Sequence, residues 1–173
     1  MSAPQRFAGS RILPSGFADD DGAAPAALAT ALAAYAADPA RKAEALAALQ
    51  ASRLLVPVVA LLGEVEYDDA GLAHDKSSDM AAVLMQGRDG RLALLAFTGL
   101  DPLRAWNPEA RPVPVTAQVA AQSALQDQAA AIVLDIAGPA TLVIEGEDLL
   151  GIASGWTIGR VGDRSAWIRP ADA

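Results

Sequence analysis

Met80-Ala-Ala-Val-Leu-Met-Gln86, then Gly87-Arg88-Asp89-Gly90, then Arg91-Leu-Ala-Leu-Leu-Ala-Phe97: this run reads as a strand, a turn and a returning strand. Asp-Gly at a reversal is the strongest short-range hairpin signal, because glycine takes φ > 0 without steric cost. Both strands are apolar on both faces near their middle. Helices are therefore expected over one side of the sheet and something else over the other.

On the N-terminal side, residues 1–23 are expected to form an irregular arm, broken by Pro4, Gly9, Pro14, Gly16 and Gly22. Ile12, Leu13 and Phe17 are apolar enough to pin part of it. The triplet Asp19-Asp20-Asp21 stands where carboxylates favour a helix N-terminus. A helix follows from about Ala24 to Ala37, with Leu28, Leu32 and Tyr35 on one face. Asp38-Pro39 reads as an N-cap and first helical residue for a second helix reaching Ser52. The apolar run Leu54 to Leu62 is a buried strand by composition. Pro57 has no N–H for a ladder, so an edge position or a bulge is expected there. Glu64, Glu66, Asp68 and Asp69 leave the core, with Val65 and Tyr67 alternating among them.

On the C-terminal side, Asp101 and Pro102 suggest a cap and first turn for a short helix carrying Leu103 and Trp106, closed by Asn107-Pro108. Arg111-Pro-Val-Pro-Val115 is extended and, by its prolines, an edge strand. Thr116 caps a helix to about Ala130, with Ala117, Ala120, Ala121, Ala124 and Leu125 inward. A second hairpin, Ala131 to Ile136 and Thr141 to Glu145, turns at Gly138-Pro139. A helix spans Glu147 to Ala153. Residues 154–173 form either a small hairpin around Gly162-Asp163 or a tail. The order of elements is that of an α+β fold, a mainly antiparallel mixed sheet with helices packed on one face.

The chain has 173 residues, enough for one domain with extended ends, and a formal net charge of -8. That charge repels phosphate backbones, so no nucleic-acid partner is expected. The nearest basic patch is Arg160, Arg164 and Arg169, diluted by Asp163 and Asp172. With no cysteine, a disulfide framework, a thiolate metal site and a cysteine nucleophile are excluded. No secretory signal is read after Arg6 and Arg11, and no apolar run approaches the roughly 20 residues of a spanning helix. A cytoplasmic protein without a membrane partner is expected.

Several stretches together resemble the N-terminal domain of the SseB family, named for an enhanced serine sensitivity phenotype. They are the paired Ala/Leu helices ending in Leu54-Leu-Val-Pro-Val58, and His74-Asp75-Lys76-Ser77-Ser78-Asp79-Met80. Next come Asp89-Gly90-Arg91, Leu95-Ala96-Phe97-Thr98, Leu103-Arg-Ala-Trp106 with Arg111-Pro-Val-Pro-Val115, and Leu134-Asp135-Ile-Ala-Gly-Pro139. Ser15-Gly16-Phe17 with Asp20-Asp21-Gly22 resembles the front arm of shorter bacterial members. The resemblance spans residues 24–153 and implies an intracellular bacterial protein of α+β fold. It implies no established reaction, cofactor or catalytic residue. Longer members carry a second, C-terminal domain, and a chain of this length is expected to hold only the first.

The one stretch dense in chemistry is His74-Asp75-Lys76-Ser77-Ser78-Asp79, which holds the only histidine. His74, Ser77 or Ser78, and Asp75 or Asp79 supply the residue types of a catalytic triad. Triad members, however, meet from separate elements rather than from one short loop. No Gly-x-Ser-x-Gly is present; Gly151-Ile-Ala-Ser-Gly155 misses the spacing. Metal-binding and phosphate-binding motifs are absent too, so no metal, cofactor or catalytic residue is expected. The bland reading of the stretch is a polar loop capping the next strand. The reading adopted is a candidate interaction loop in a non-catalytic binding domain with an unknown protein partner. Its contact surface would be an apolar edge around Pro57, the Pro112/Pro114 strand, or the tail bearing Trp156 and Trp167. A hydrolase or metal-assisted enzyme using the loop, and a self-association module, are the alternatives.

Overall fold

The structure is a computed structural model, and it describes residues 17, 19–61, 66–67, 73–74, 79–162 and 164–170. Its first layer is helical. Leu28 and Leu32 of α1 (Ala26–Ala37) are buried against α2 (Lys42–Gln50), whose Ala45, Leu46 and Leu49 are also buried. Between the helices lies a 3-10 turn, Pro39–Arg41, and the Asp38 carboxylate accepts the Ala40 N–H at 3.0 Å, the cap that Asp-Pro announces.

The sheet is built on β1 (Arg53–Leu61). On one side β1 pairs antiparallel along β7 (Arg111–Thr116), with Pro57 opposite Pro112 and Leu55 opposite Pro114. On the other side it has two successive neighbours. Leu55 exchanges both backbone hydrogen bonds with Phe97 at 2.8 Å, and further along Val58 to Leu61 pair with β4 (Asp79–Ala82). Pro57 is thus buried in an inner strand, which overturns the edge position expected for it. The physical reason lies in the neighbour. Val83, the residue after β4, donates its N–H to the Pro57 carbonyl at 3.0 Å. The chain then crosses to β6 (Leu92–Ala96) as β5 (Leu84–Gln86). The ladder changes partner beside the residue that has no N–H to give.

The predicted hairpin forms as β5 and β6, with Gln86 paired to Leu92, and its first strand splits at Val83. β6 runs parallel to β8 (Ala131–Leu134), which pairs antiparallel with β9 (Leu142–Glu145). Between β6 and β8 the chain passes through α3 (Leu100–Trp106), β7 and α4 (Ala117–Gln126). After β9 come α5 (Gly146–Ala153) and a separate hairpin of β10 (Thr157–Val161) and β11 (Arg164–Ile168). Two short strands, β2 (Glu66–Tyr67) and β3 (Ala73–His74), pair only with each other among the described residues.

Residues of alternating strand positions divide between two cores. Leu54, Leu94, Ala96, Ile132, Leu134, Leu142 and Ile144 meet α1, α2, α4 and α5. Leu55, Val83, Leu95 and Phe97 face the other way, where α3 brings Leu103. Trp106 is half-buried there, its ring 5.5 Å from that of Phe97. The α+β architecture read from the sequence is the observed one, and α3 is the layer on the second face.

Local departures have local causes. α3 starts at Leu100, so Asp101 lies in its first turn rather than at its cap. The Leu100 N–H is satisfied by the Gly22 carbonyl at 2.8 Å instead. α4 is capped by Thr116 as expected, its hydroxyl accepting the Val119 N–H at 3.2 Å, but it ends at Gln126 and leaves Leu125 exposed.

The terminal hairpin is not a loose tail. Trp167 and Ile158 pack against the main core. The Trp167 ring lies so close to Gly151 that a Cβ there would come within 2.4 Å of it, and the indole N–H donates to Asp148 at 3.0 Å. Gly151→Val is expected to displace the hairpin and destabilise the protein by about 1–3 kcal/mol, the usual cost of overpacking. Limited proteolysis should then cut within residues 157–168 while far-UV circular dichroism keeps the helical signal. An uncleaved hairpin would show that the contact is not needed.

Candidate functional site

His74 closes β3 opposite Glu66, and Asp79 opens β4 opposite Leu61. Asp75, Lys76, Ser77 and Ser78 lie outside the described residues, as do Ile12 and Leu13 of the arm. Two other places in the molecule concentrate polar chemistry.

The first is a buried chain of polar groups at the C-terminal ends of β6 and β8. Arg53 opens β1 with its side chain only 8% exposed. Its guanidinium donates to both carboxylate oxygens of Asp20, to the Ala23 carbonyl and to the Thr98 carbonyl. Thr98 in turn donates its N–H to one carboxylate oxygen of Asp135 at 2.8 Å and its hydroxyl to the other at 2.7 Å. Asp135 is 4% exposed and sits at φ 52°, a left-handed conformation that Asp tolerates better than most residues. Its own carbonyl accepts from the Thr141 hydroxyl and the Gly138 N–H, closing the turn into β9.

The electrostatics follow from these contacts. The hydrogen bonds from Arg53 hold the Asp20 carboxyl below the usual carboxylate range. Burial pushes Asp135 above it, against the two hydrogen bonds from Thr98. Asp20 therefore does not serve as a helix-dipole carboxylate; it is the partner of Arg53. Among the described residues every buried side-chain nitrogen or oxygen has a hydrogen-bond partner. Nor, among them, do three histidine or carboxylate groups gather as a metal site would need. The arm closes the region: the Gly22 carbonyl and Ala24 N–H approach Gly99 so closely that a Cβ there would lie 2.7 Å from the Ala24 nitrogen.

The second place is a groove between α2 and the terminal hairpin. One cavity of about 400 Å³ is lined by Ala47, Gln50, Gln118, Trp156 and Ile158, among others. A neighbouring one of about 310 Å³ shares Ala47 and Ile158 and extends to Ala40, Ala43 and Arg160. The Gln50 carboxamide bridges to the hairpin, donating to the Trp156 carbonyl at 2.5 Å and accepting the Ile158 N–H at 3.3 Å. Trp156 is half-buried, and the Arg169 guanidinium lies 4.5 Å from its ring centroid, within cation–π range. Trp156 and the arginines stand out in the sequence, and Gln50 does not. A glutamine ending a short Ala/Leu helix carries no pattern of its own.

A family model described as the SseB protein N-terminal domain matches residues 28–150. The match covers β1 through β9 and most of α5, and it includes Arg53, Thr98 and Asp135; Asp20 and the β10–β11 hairpin lie outside it. No curated protein and no solved structure matches the chain. Among the described residues, no helix is long and apolar enough to cross a membrane.

The buried chain makes opposite pH predictions for its two acids. The depressed Asp20 contributes stability that is present above the ordinary carboxylate range and lost as pH falls through its lowered value. The raised Asp135 contributes most below that range and loses its contribution as pH rises through its raised value. Urea midpoints taken from pH 3 to 7 should show the advantage of wild type over Asp20→Asn vanishing in acid. The stability of wild type relative to Asp135→Asn should decline as pH rises toward neutrality. Parallel curves would refute the assignment. Arg53→Ala should cost about 3–5 kcal/mol, as breaking a buried pair does.

Proposed function

The chain belongs to the SseB family, and from that premise we propose that it is a non-catalytic binding domain whose contact surface is the groove between α2 and the β10–β11 hairpin. The observation that carries this reading is the pair of adjoining cavities that share Ala47 and Ile158. The cavity beside Trp156 is mainly apolar and the one beside Arg160 mainly polar; Ala40, Ala43 and Ala47 keep one wall small, and a half-buried tryptophan stands at one end, a combination suited to recognition.

The other two surfaces suggested by the sequence fit a partner less well. Pro57 is buried in an inner strand. At the outer edge of β7 the alternation of the ladder decides the matter. Leu55 gives its backbone bonds to Phe97, so its partner Pro114 and, two residues on, Pro112 turn their nitrogens outward. Neither nitrogen carries a hydrogen. The edge presents carbonyls without donors between them, which blocks strand pairing with a partner or a second copy. The buried chain from Asp20 to Asp135 is occupied with holding the arm and two turns, a structural use of the residues that carry the family resemblance.

Deleting the hairpin is a poor test, because Trp167 and Ile158 are part of the core. Filling the groove is a better one. Ala47 is exposed and lines both cavities, so Ala47→Trp should block them without touching buried residues. Ala36→Trp, on the exposed side of α1, serves as the control. Affinity purification with mass spectrometry should recover partners with wild type and Ala36→Trp that Ala47→Trp loses, at unchanged thermal stability. Equal recovery by all three would contradict the assignment of the groove.

A further inference from the structure

The backbone of β10 has one side that β11 does not use. Val161 pairs with Arg164 across Gly162, Gly159 with Ala166 and Thr157 with Ile168. The Ile158 N–H instead donates to the Gln50 carboxamide, away from β11. Antiparallel residues alternate in direction, so Ile158 and Arg160 both turn their N–H and C=O outward, to the α2 side. There the Gln50 amide occupies the first position only. It donates to the Trp156 carbonyl and accepts from the Ile158 N–H, as the peptide group of a neighbouring strand would.

Beyond Gln50 the edge continues with the Ile158 carbonyl and the Arg160 N–H, and the cavity of about 310 Å³ opens beside them. Its far wall is Ala40 of the 3-10 turn with Ala43 and Ala47 of α2, whose small side chains leave room. A side-chain amide already bonded to this edge shows what chemistry the edge accepts, and the adjoining cavity, which Ser165 of β11 also lines, leaves room between the hairpin and α2.

The charge of the groove names the rest of the ligand. Arg41, Glu44 and Arg160 meet at its mouth. Glu44 is held ionised chiefly by its hydrogen bond to Arg41, with a smaller contribution from Arg160. Its carboxylate is thus engaged by Arg41, and among the described residues Arg160 forms no ion pair. Arg41 is engaged by Glu44 and, at longer range, by Asp38, so Arg160 is the guanidinium of this mouth to which no carboxylate is hydrogen-bonded among the described residues.

We propose that the outer edge of β10 takes an extended peptide segment of a partner protein by strand addition. The segment pairs with the backbone of Ile158 and Arg160 against α2 and places an acidic side chain at Arg160. This deepens the groove reading above and rests on it. It requires a partner segment free of proline at the paired positions and carrying at least one carboxylate.

The test uses the full chain, labelled with nitrogen-15, and the probe acetyl-Thr-Val-Glu-Val-Thr-amide. Saturable shifts should centre on the amides of Arg160 and its neighbours in β10, with slowed exchange of the Arg160 N–H. The same peptide N-methylated at alternate residues, or with Lys in place of Glu, should bind about tenfold more weakly or worse. Arg160→Glu should invert the Glu-over-Lys preference while leaving the hairpin intact. Equal binding of the N-methylated peptide would overturn strand addition, and equal binding of the Lys peptide would overturn the acidic preference. Shifts at Ala47 and Trp156 without any at the Arg160 amide would also overturn the inference while leaving the groove reading in place. Absence of any shift at millimolar probe, while Ala47→Trp still loses its partners, would do the same.

Discussion

A single guanidinium ties the fold together. Arg53 stands at the junction of α2 and β1, nearly out of solvent, and a charge in that position is tolerable only when paired and fully hydrogen-bonded. Asp20 neutralises it with two hydrogen bonds, and the carbonyls of Ala23 and Thr98 each accept one more. Through those bonds one side chain fixes the arm before α1, the start of β1 and the end of β6. Thr98 hands the constraint on to Asp135, and Asp135 to the turn before β9. Segments more than a hundred residues apart in the chain are held by a continuous run of satisfied polar contacts.

The sheet solves a second problem with the same economy of parts. A proline in an inner strand leaves a hole in the ladder. Here the neighbouring chain changes partner at Val83, so the hole falls where β4 stops and Leu95 of β6 has turned its N–H to the Val83 carbonyl. β7 uses its two prolines the other way, turning their nitrogens to solvent and closing that edge to further strands. The terminal hairpin, by contrast, leaves an edge beside a groove, where Gln50 is its side-chain hydrogen-bond partner among the described residues.

What could be read in the sequence was local. The hairpin of β5 and β6, the Asp38-Pro39 break and the Thr116 cap depend on residues a few positions apart, and their turn chemistry is written in the residues themselves. The partner switch at Val83 and the parallel pairing of β6 with β8 depend on where distant strands lie, and no period in either segment encodes that. The same holds for the buried chain. Thr98 and Asp135 stood in the stretches that carry the family resemblance, yet nothing in either stretch says that they meet. An arginine opening an apolar strand and an aspartate triplet far upstream were the available signals for Arg53 and Asp20. The stretch richest in reactive residues, from His74 to Asp79, drew the reading toward itself because density of polar side chains is visible in sequence. Convergence in space is not.

The polar and exposed groups fall in two: those of the Arg53 chain, committed to the fold, and the outer edge of β10, proposed above to take a partner segment. Residue-resolved hydrogen exchange of the unliganded protein tests both halves at once. The Thr98 amide, buried and bonded to Asp135, should exchange as slowly as the central amides of β6, through global unfolding. The Arg160 amide should exchange far faster than those of Gly159 and Val161, which β11 protects. A fast Thr98 amide, or an Arg160 amide as protected as its neighbours, would contradict the account.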